Sequence, residues 1–107
     1  MSEVIVLGHG NYSAGVKSAL EMIAGDSTGF RFVDLTQEGG MTEFEKDVRE
    51  AAGEVEGPIL FACDIFGASP FKLAAMQCVE RGDGSQVVAG LNSMAFLETR
   101  ALLRRAA

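Results

Sequence analysis

Apolar and polar positions follow two different rhythms along the chain. Four short runs rich in β-branched and other apolar residues are separated by stretches in which apolar residues recur every three or four positions. The short runs predict strands at Glu3–Leu7, Phe30–Leu35, Pro58–Asp64 and Gln86–Gly90. The first and third are nearly continuous apolar runs, which is typical of central parallel strands covered on both faces.

The stretches between the strands predict amphipathic helices with recognisable ends. The first helix is expected to begin near Ser13 and to end at Gly25, since glycine readily adopts the left-handed conformation that closes a helix. Its buried stripe is predicted to consist of Val16, Ala19, Leu20 and Ile23. In the second helix, Thr42 and Glu45 have the spacing of a capping box.

Two further helices complete the pattern. Ser69 followed by Pro70 marks the start of the third, because a serine hydroxyl accepts from free first-turn amides and proline presets the helical φ. The fourth is expected from about Ser93 to the end. The alternation predicts an α/β fold, a flavodoxin-like open parallel sheet of four strands in the order 2-1-3-4 with helices on both faces. Residues 1–107 are expected to form a single domain.

Composition narrows the classes of function. The net charge is −6 and there is no block of Lys or Arg, so the chain lacks the attraction to phosphate backbones that DNA or RNA binding needs. There is no signal-peptide pattern and no spanning apolar run, which favours a cytoplasmic location. Cys63 and Cys78 match no metal or redox spacing, so both are expected to be buried and reduced, and no metal or other cofactor is implied.

The predicted strand order brings two distant loops to one edge of the sheet. Strands one and three become neighbours, and ligands of such sheets bind outside the carboxyl ends of the strands where the winding direction reverses. The segments that line this crevice are Gly8–Gly10 and Asp64–Ser69. An imidazole, a carboxylate and a hydroxyl are therefore expected to converge there.

The convergence indicates a nucleophilic histidine. His9 is the only histidine of the chain, and its flanking glycines are expected to leave room for a close partner. Asp64 can accept from one ring nitrogen and leave the other as a nucleophile, while Ser69 and the amides of the third helix can bind an anion. Alternatively, Asp64 is a simple loop carboxylate and Ser69 only a helix cap.

A dinucleotide site is a weaker interpretation of the same loop. Gly8 and Gly10 with Ser13 partly match the dinucleotide fingerprint, and Asp34 would then be the ribose ligand. The third small position of the fingerprint is missing, and His9 stands where the pyrophosphate would lie.

The whole pattern resembles the mannose-type enzyme IIA domain of the bacterial phosphoenolpyruvate-dependent sugar phosphotransferase system (PTS). The most diagnostic features are a histidine between two glycines and an aspartate followed five residues later by Ser-Pro-Phe. The segments that carry the resemblance are Gly8–Gly10, Phe61–Phe71, Val88–Asn92 and Glu98–Thr99.

The resemblance implies a phosphoryl carrier without metal or cofactor. HPr would donate a phosphoryl group to His9, and a IIB subunit would accept it and serve the membrane subunits IIC and IID. Asp64 would be the catalytic partner of the imidazole. The residues expected to bind the phosphoryl group are Ser69, Gly10, Gly67 and Ala68. Ile65 and Phe66 match a loop that meets the partner proteins.

Family members are dimers, and a homodimer is expected here through the fourth strand and the last helix. The chain ends at Ala107, before the family's C-terminal helix and antiparallel edge strand. Two other functions fit the same fold: the phosphoryl-donor subunit of a dihydroxyacetone kinase system, and a non-enzymatic module that binds a small ligand in the crevice. The transported sugar leaves no trace in this sequence, because the membrane subunits recognise it.

Overall fold

Strands and helices alternate along the part of the chain that the computed structural model describes, residues 3–90 together with Arg100. The strands are β1 (Glu3–His9), β2 (Phe30–Leu35), β3 (Ile59–Cys63) and β4 (Gln86–Ala89). The helices are α1 (Tyr12–Ala24), α2 (Gly40–Gly53) and α3 (Ser69–Arg81). The predicted fourth helix falls outside the described residues except for Arg100, which is helical.

The four strands form one parallel sheet in the order β2-β1-β3-β4. This order and the α/β class were predicted from the sequence and are confirmed. The central position of β1 explains its apolar run, because Val4–Leu7 is completely buried between two neighbouring strands and two helical layers. In the register of the sheet, Leu7 pairs with Val33 on one side and with Cys63 on the other. The carboxyl ends of β1, β2 and β3 therefore lie side by side.

Alternate residues of the central strands enter two separate cores. Ile5 and Leu7 pack with α2 and α3 on one face, whereas Val4 and Val6 pack with α1 on the other. Phe61 is completely buried in the first core. Each such side chain contributes about 1.5–3 kcal/mol by leaving water, so the two-sided core fixes β1 firmly in the sheet.

β1 is longer than predicted. It extends to His9, because pairing with β2 continues to His9 opposite Leu35 after pairing with β3 has ended at Leu7. The histidine is thus the last residue of a strand and is held on one side by β2. β3 is shorter than predicted at both ends, so Asp64 begins the turn that follows it.

The start of α2 differs from the prediction. The helix begins at Gly40, so Thr42 and Glu45 lie inside it and the capping box is not formed. The turn before it is held instead by Thr36. Its hydroxyl accepts from the Gly39 amide at 3.0 Å, and its carbonyl accepts from the Gly40 amide at 2.9 Å.

The start of α3 is shifted by one residue. Ala68 occupies the N-cap position, Ser69 is the first helical residue, and no side chain caps the first turn. The prediction that the Ser69 hydroxyl caps this helix is therefore wrong. Pro70 lies in the first turn and is buried, where its missing N–H costs nothing.

Two expectations about burial also need correction. In α1, which ends at Gly25 as predicted, Val16 and Leu20 are buried but Ile23 in the last turn is 59% exposed. Cys63 is buried and Cys78 only partly so, although both are free thiols. None of the helices in the described ranges is both long and apolar enough to cross a membrane.

Candidate active site

The imidazole of His9 and the carboxylate of Asp64 meet at the carboxyl ends of β1 and β3. His9 Nδ1 lies 2.9 Å from Asp64 Oδ2, and the same oxygen accepts the backbone N–H of His9 at 2.9 Å. Asp64 Oδ1 accepts the N–H of Ile65 at 2.8 Å. The side chain of His9 is 41% exposed and that of Asp64 only 12%, so the ring is open to other molecules while the carboxylate is shielded.

The hydrogen bonds decide the charge of Asp64 and, through it, the tautomer of His9. Burial raises the pKa of Asp64, but hydrogen bonds from the His9 amide, the His9 ring and the Ile65 amide outweigh burial and hold the pKa below its usual range. The carboxylate is therefore ionised at neutral pH and can only accept. Nδ1 must carry the hydrogen of the 2.9 Å bond, which leaves the lone pair of the neutral ring on Nε2.

The two glycines that flank His9 have different structural roles. A Cβ atom at Gly8 would lie 2.4 Å from the ring of Tyr12, so this glycine makes room for a residue of its own chain and not for a partner. Gly10 has a φ of +61° and open space around it. Its amide donates to the carbonyl of Leu35 at 2.8 Å, so Gly10 offers an open approach to His9 but no free donor.

Two other titratable groups near Asp64, the Cys63 thiol at the end of β3 and the Tyr12 hydroxyl, resist ionisation. Burial, and next the charge of Asp64, raise the pKa of Cys63 to about 12, so this thiol stays protonated. Burial is also the main cause of the raised pKa of Tyr12, with contributions from Asp64 and Cys63. Asp64 is therefore the anionic partner of His9 on this side.

A cleft of about 730 Å³ opens beside His9 on the β2 side. It is lined by His9, Gly10, Asn11, Leu35, Thr36, Gln37 and Glu38. The crevice was predicted on the β3 side, and the segment that follows Leu35 was not predicted to line it. A signal for it was present, because the predicted order places β2 next to β1 and therefore brings the end of β2 beside His9.

Apart from Gly10, the residues expected to bind the phosphoryl group, Gly67, Ala68 and Ser69, lie at the start of α3. The first backbone hydrogen bond there joins the Lys72 N–H to the Ala68 carbonyl at 3.0 Å. The amides of Gly67, Ala68 and Ser69 precede this bond and have no backbone acceptor among the described residues. Gly67 has a φ of +79°, which turns the chain into this helix. Ser69 is exposed and lines a separate groove of about 230 Å³ next to α2. The described contacts do not join Ser69 to either His9 or Asp64.

Two large apolar side chains are exposed directly after Asp64. Ile65 is 55% exposed and Phe66 is 79% exposed. The ring of Phe66 lies 4.7 Å from that of Phe71, measured between centroids, so α3 supports it from one side. Within residues 3–90 and Arg100, no group of three or more His, Cys, Asp or Glu side chains is arranged to hold a metal ion.

The family of the chain follows from comparison with known proteins. The family model described as "PTS system fructose IIA component" matches residues 3–106, nearly the whole chain. The chain belongs to this PTS IIA family. The resemblance to mannose-type IIA domains noted in the sequence is thereby confirmed, and this IIA chain is a component of a sugar phosphotransferase system.

Individual relatives agree with the family model. The chain is 29% identical over 104 residues to the fructose-specific EIIA component of Bacillus subtilis, an alignment that covers 95% of this chain and 70% of the relative. A crystal structure of EIIA from Streptococcus agalactiae matches 99% of this chain and 80% of its own with 32% identity and a TM-score of 0.78. A mannose/sorbose-specific IIA subunit from Enterococcus faecalis matches 85% of this chain and 69% of its own with 26% identity and a TM-score of 0.76.

Proposed function

We propose that this IIA chain is a cytoplasmic phosphoryl carrier that accepts a phosphoryl group from phospho-HPr on Nε2 of His9 and passes it to a IIB subunit. The observation that carries the proposal is the 2.9 Å hydrogen bond between His9 Nδ1 and Asp64. It commits one ring nitrogen and leaves the lone pair on the other, in a side chain that is 41% exposed. Membership of the PTS IIA family supports the same role.

The transfer can be written as one in-line displacement. The lone pair of His9 Nε2 forms a bond to the phosphorus of phospho-HPr, and the phosphorus–nitrogen bond of the donor breaks, its electron pair remaining on the donor's imidazole. The His9 ring then carries a positive charge, which the ionised Asp64 stabilises through the Nδ1–H bond. Transfer to IIB runs the same displacement with His9 as the leaving group.

The phosphoryl oxygens need donors, and the start of α3 is the proposed source. Free amides at a helix N-terminus combine hydrogen-bond donors with a favourable dipole. The amides of Gly67, Ala68 and Ser69 precede the first helical hydrogen bond, and the Ser69 hydroxyl is exposed. Such fixed donors stabilise the charge that spreads over the equatorial oxygens in the transition state.

Ile65 and Phe66 are proposed to contact the partner proteins. Both are exposed and both follow the carboxylate that holds His9, so a protein that docks on them is brought to the imidazole. HPr and IIB would use this surface in turn, and the membrane subunits IIC and IID would be partners only indirectly, through IIB.

Reconstitution of the relay tests the proposal. The chain is incubated with labelled phosphoenolpyruvate, enzyme I and HPr, and the variants His9→Ala, Ser69→Ala and Ser18→Ala are compared with it. We expect full labelling of the wild type, none of His9→Ala and slower labelling of Ser69→Ala. Ser18→Ala is the matched control, because Ser18 is exposed on α1, and it should label like the wild type. A wild-type chain that takes up no label from phospho-HPr would refute the carrier role.

A further inference from the structure

Asp34, near the end of β2, caps the N-terminus of α1 although it is distant from that helix in the sequence. Its Oδ1 accepts the backbone N–H of Ser13 at 2.8 Å, and its Oδ2 accepts that of Ala14 at 3.1 Å. These are the second and third residues of the helix, whose amides an N-cap side chain normally satisfies. Asp34 reaches them because it lies on the same face of β2 as Phe32, which packs in the core under α1.

The side chain of the local N-cap residue does not accept these two amides. Asn11 occupies the cap position, but its backbone has φ −107° and ψ 20°, and its side chain makes no capping hydrogen bond. Asparagine is among the best N-cap residues when its backbone is extended, so the free amides here depend on the carboxylate from β2.

The short connection between β1 and α1 is therefore fastened to β2 at both ends. Only Gly10 and Asn11 separate His9 from the helix. On the strand side, the Gly10 amide donates to the Leu35 carbonyl at 2.8 Å. On the helix side, the Asp34 carboxylate holds the first turn of α1. A shift of this first turn would also shift His9, because the two intervening residues are too few to absorb the movement.

We propose that Asp34 is a positioning residue: by capping α1 from β2, it fixes the turn that follows His9 and keeps the imidazole in its hydrogen bond with Asp64. It acts through the backbone and contacts no reacting atom. The kinetic part of its test rests on the proposed carrier function, whereas the spectroscopic part does not.

The test compares Asp34→Ala and Asp34→Asn with the wild type. Nitrogen-15 NMR of the unphosphorylated protein reports which nitrogen of His9, the only histidine, carries the hydrogen. We expect one Nδ1–H form in the wild type and a mixture of tautomers in Asp34→Ala.

In single-turnover transfer from phospho-HPr, the maximal rate constant of Asp34→Ala should fall by about 10- to 100-fold, since small misplacements of a reacting group cost this much. The half-saturating concentration of phospho-HPr should change by less than about two-fold, because the oxygens of Asp34 are bonded to α1 and the proposed partner surface consists of Ile65 and Phe66. Asp34→Asn keeps one acceptor atom, so its tautomer populations and its rate constant should lie between those of the wild type and those of Asp34→Ala.

Asp83→Asn is the matched control. Asp83 also accepts a backbone N–H, that of Ser85 at 3.1 Å, but it precedes β4 and therefore lies at the opposite end of the parallel sheet from His9. This variant should lose stability while the tautomer and the rate constant stay as in the wild type. A change equal to that of Asp34→Ala would show only a general loss of stability and would overturn the proposal.

A folded Asp34→Ala with the wild-type tautomer and rate constant would overturn it as well. If that variant does not fold, Asp34→Asn decides by the same two measurements. If the wild type itself takes up no phosphoryl group, the proposed function fails, and the tautomer of His9 in the two variants still decides the role of Asp34.

Discussion

Replacement of Asp64 by Asn tests the link between the carboxylate and the histidine most severely. The side chains have nearly the same shape, but the amide has one acceptor atom where the carboxylate has two. Asp64 accepts three hydrogen bonds, two from His9 on one oxygen and one from Ile65 on the other. In either orientation of the amide, its NH₂ group faces at least one N–H donor.

The magnitude follows from this count. If the amide oxygen faces His9, its NH₂ opposes the Ile65 N–H, and at least one bond to a charged group, worth about 1.5–3 kcal/mol, is lost. If the amide is flipped, the NH₂ faces Nδ1 and favours the tautomer whose hydrogen is on Nε2, so the nucleophilic lone pair disappears. We expect a loss of about 2–4 kcal/mol in the free energy of unfolding at neutral pH. We also expect the rate constant for transfer to fall by about 100-fold or more.

The stability effect should depend on pH with a defined sign. The pKa of Asp64 is lowered in the folded protein, so its ionised form stabilises the fold above the pKa of the unfolded chain, and this contribution is lost as the pH falls through the folded pKa. The difference in unfolding free energy between wild type and Asp64→Asn should therefore shrink as the pH falls below about 4.

Two assays check the prediction: urea unfolding across this pH range, and single-turnover transfer in both directions. Asp83→Asn is again the control, since the pKa of Asp83 is also lowered, mainly by its hydrogen bond from Ser85, but Asp83 is remote from His9. It should leave the transfer rate unchanged. A folded Asp64→Asn with wild-type rates in both directions, or a stability difference that persists undiminished in acid, would refute the reasoning.

Three further predictions follow from the same region and from the sheet edge. Gly8→Ala should destabilise the protein by about 1–3 kcal/mol in chemical unfolding, because the new methyl group meets the Tyr12 ring at 2.4 Å; unchanged stability would mean that the ring moves aside freely. Cys63 should resist alkylation in the native protein at pH 8, because its pKa is about 12, and its modification as fast as that of the partly buried Cys78 would contradict its burial. β4 (Gln86–Ala89) lies at the edge of the described sheet, so we expect a dimer of 11.3 kDa chains in sedimentation at micromolar concentration, and a clean monomer would contradict it.

Much of the fold could be predicted from the sequence because strand order follows from a few strong signals. Continuous apolar runs identify β1 and β3 as central, and the alternation of strands and helices leaves few right-handed arrangements. Element ends were less predictable. His9 was placed after the strand, yet it belongs to β1, because pairing with β2 outlasts pairing with β3. That length depends on the neighbour and not on the local sequence.

The site was predictable where one strand end directly meets the next. The pairing of β1 with β3 was enough to place Asp64 beside His9. Capping was not predictable in the same way. Ser69 and Asn11 are good N-cap residues by type, but neither caps its helix, and a carboxylate from β2 caps α1. Asp34 was considered only as a ribose ligand, since a cap contributed by another strand has no local sequence pattern.

The position of the phosphoryl group on the imidazole tests the central claim most directly. Phosphorus-31 and nitrogen-15 correlation NMR of the phosphorylated protein, prepared with enzyme I, HPr and phosphoenolpyruvate, distinguishes the two ring nitrogens. Because Nδ1 donates to Asp64 at 2.9 Å, we predict phosphorus bonded to Nε2 of His9 and a hydrogen retained on Nδ1. Phosphorus on Nδ1 of His9, or on Ser69 or any other residue, would contradict the account.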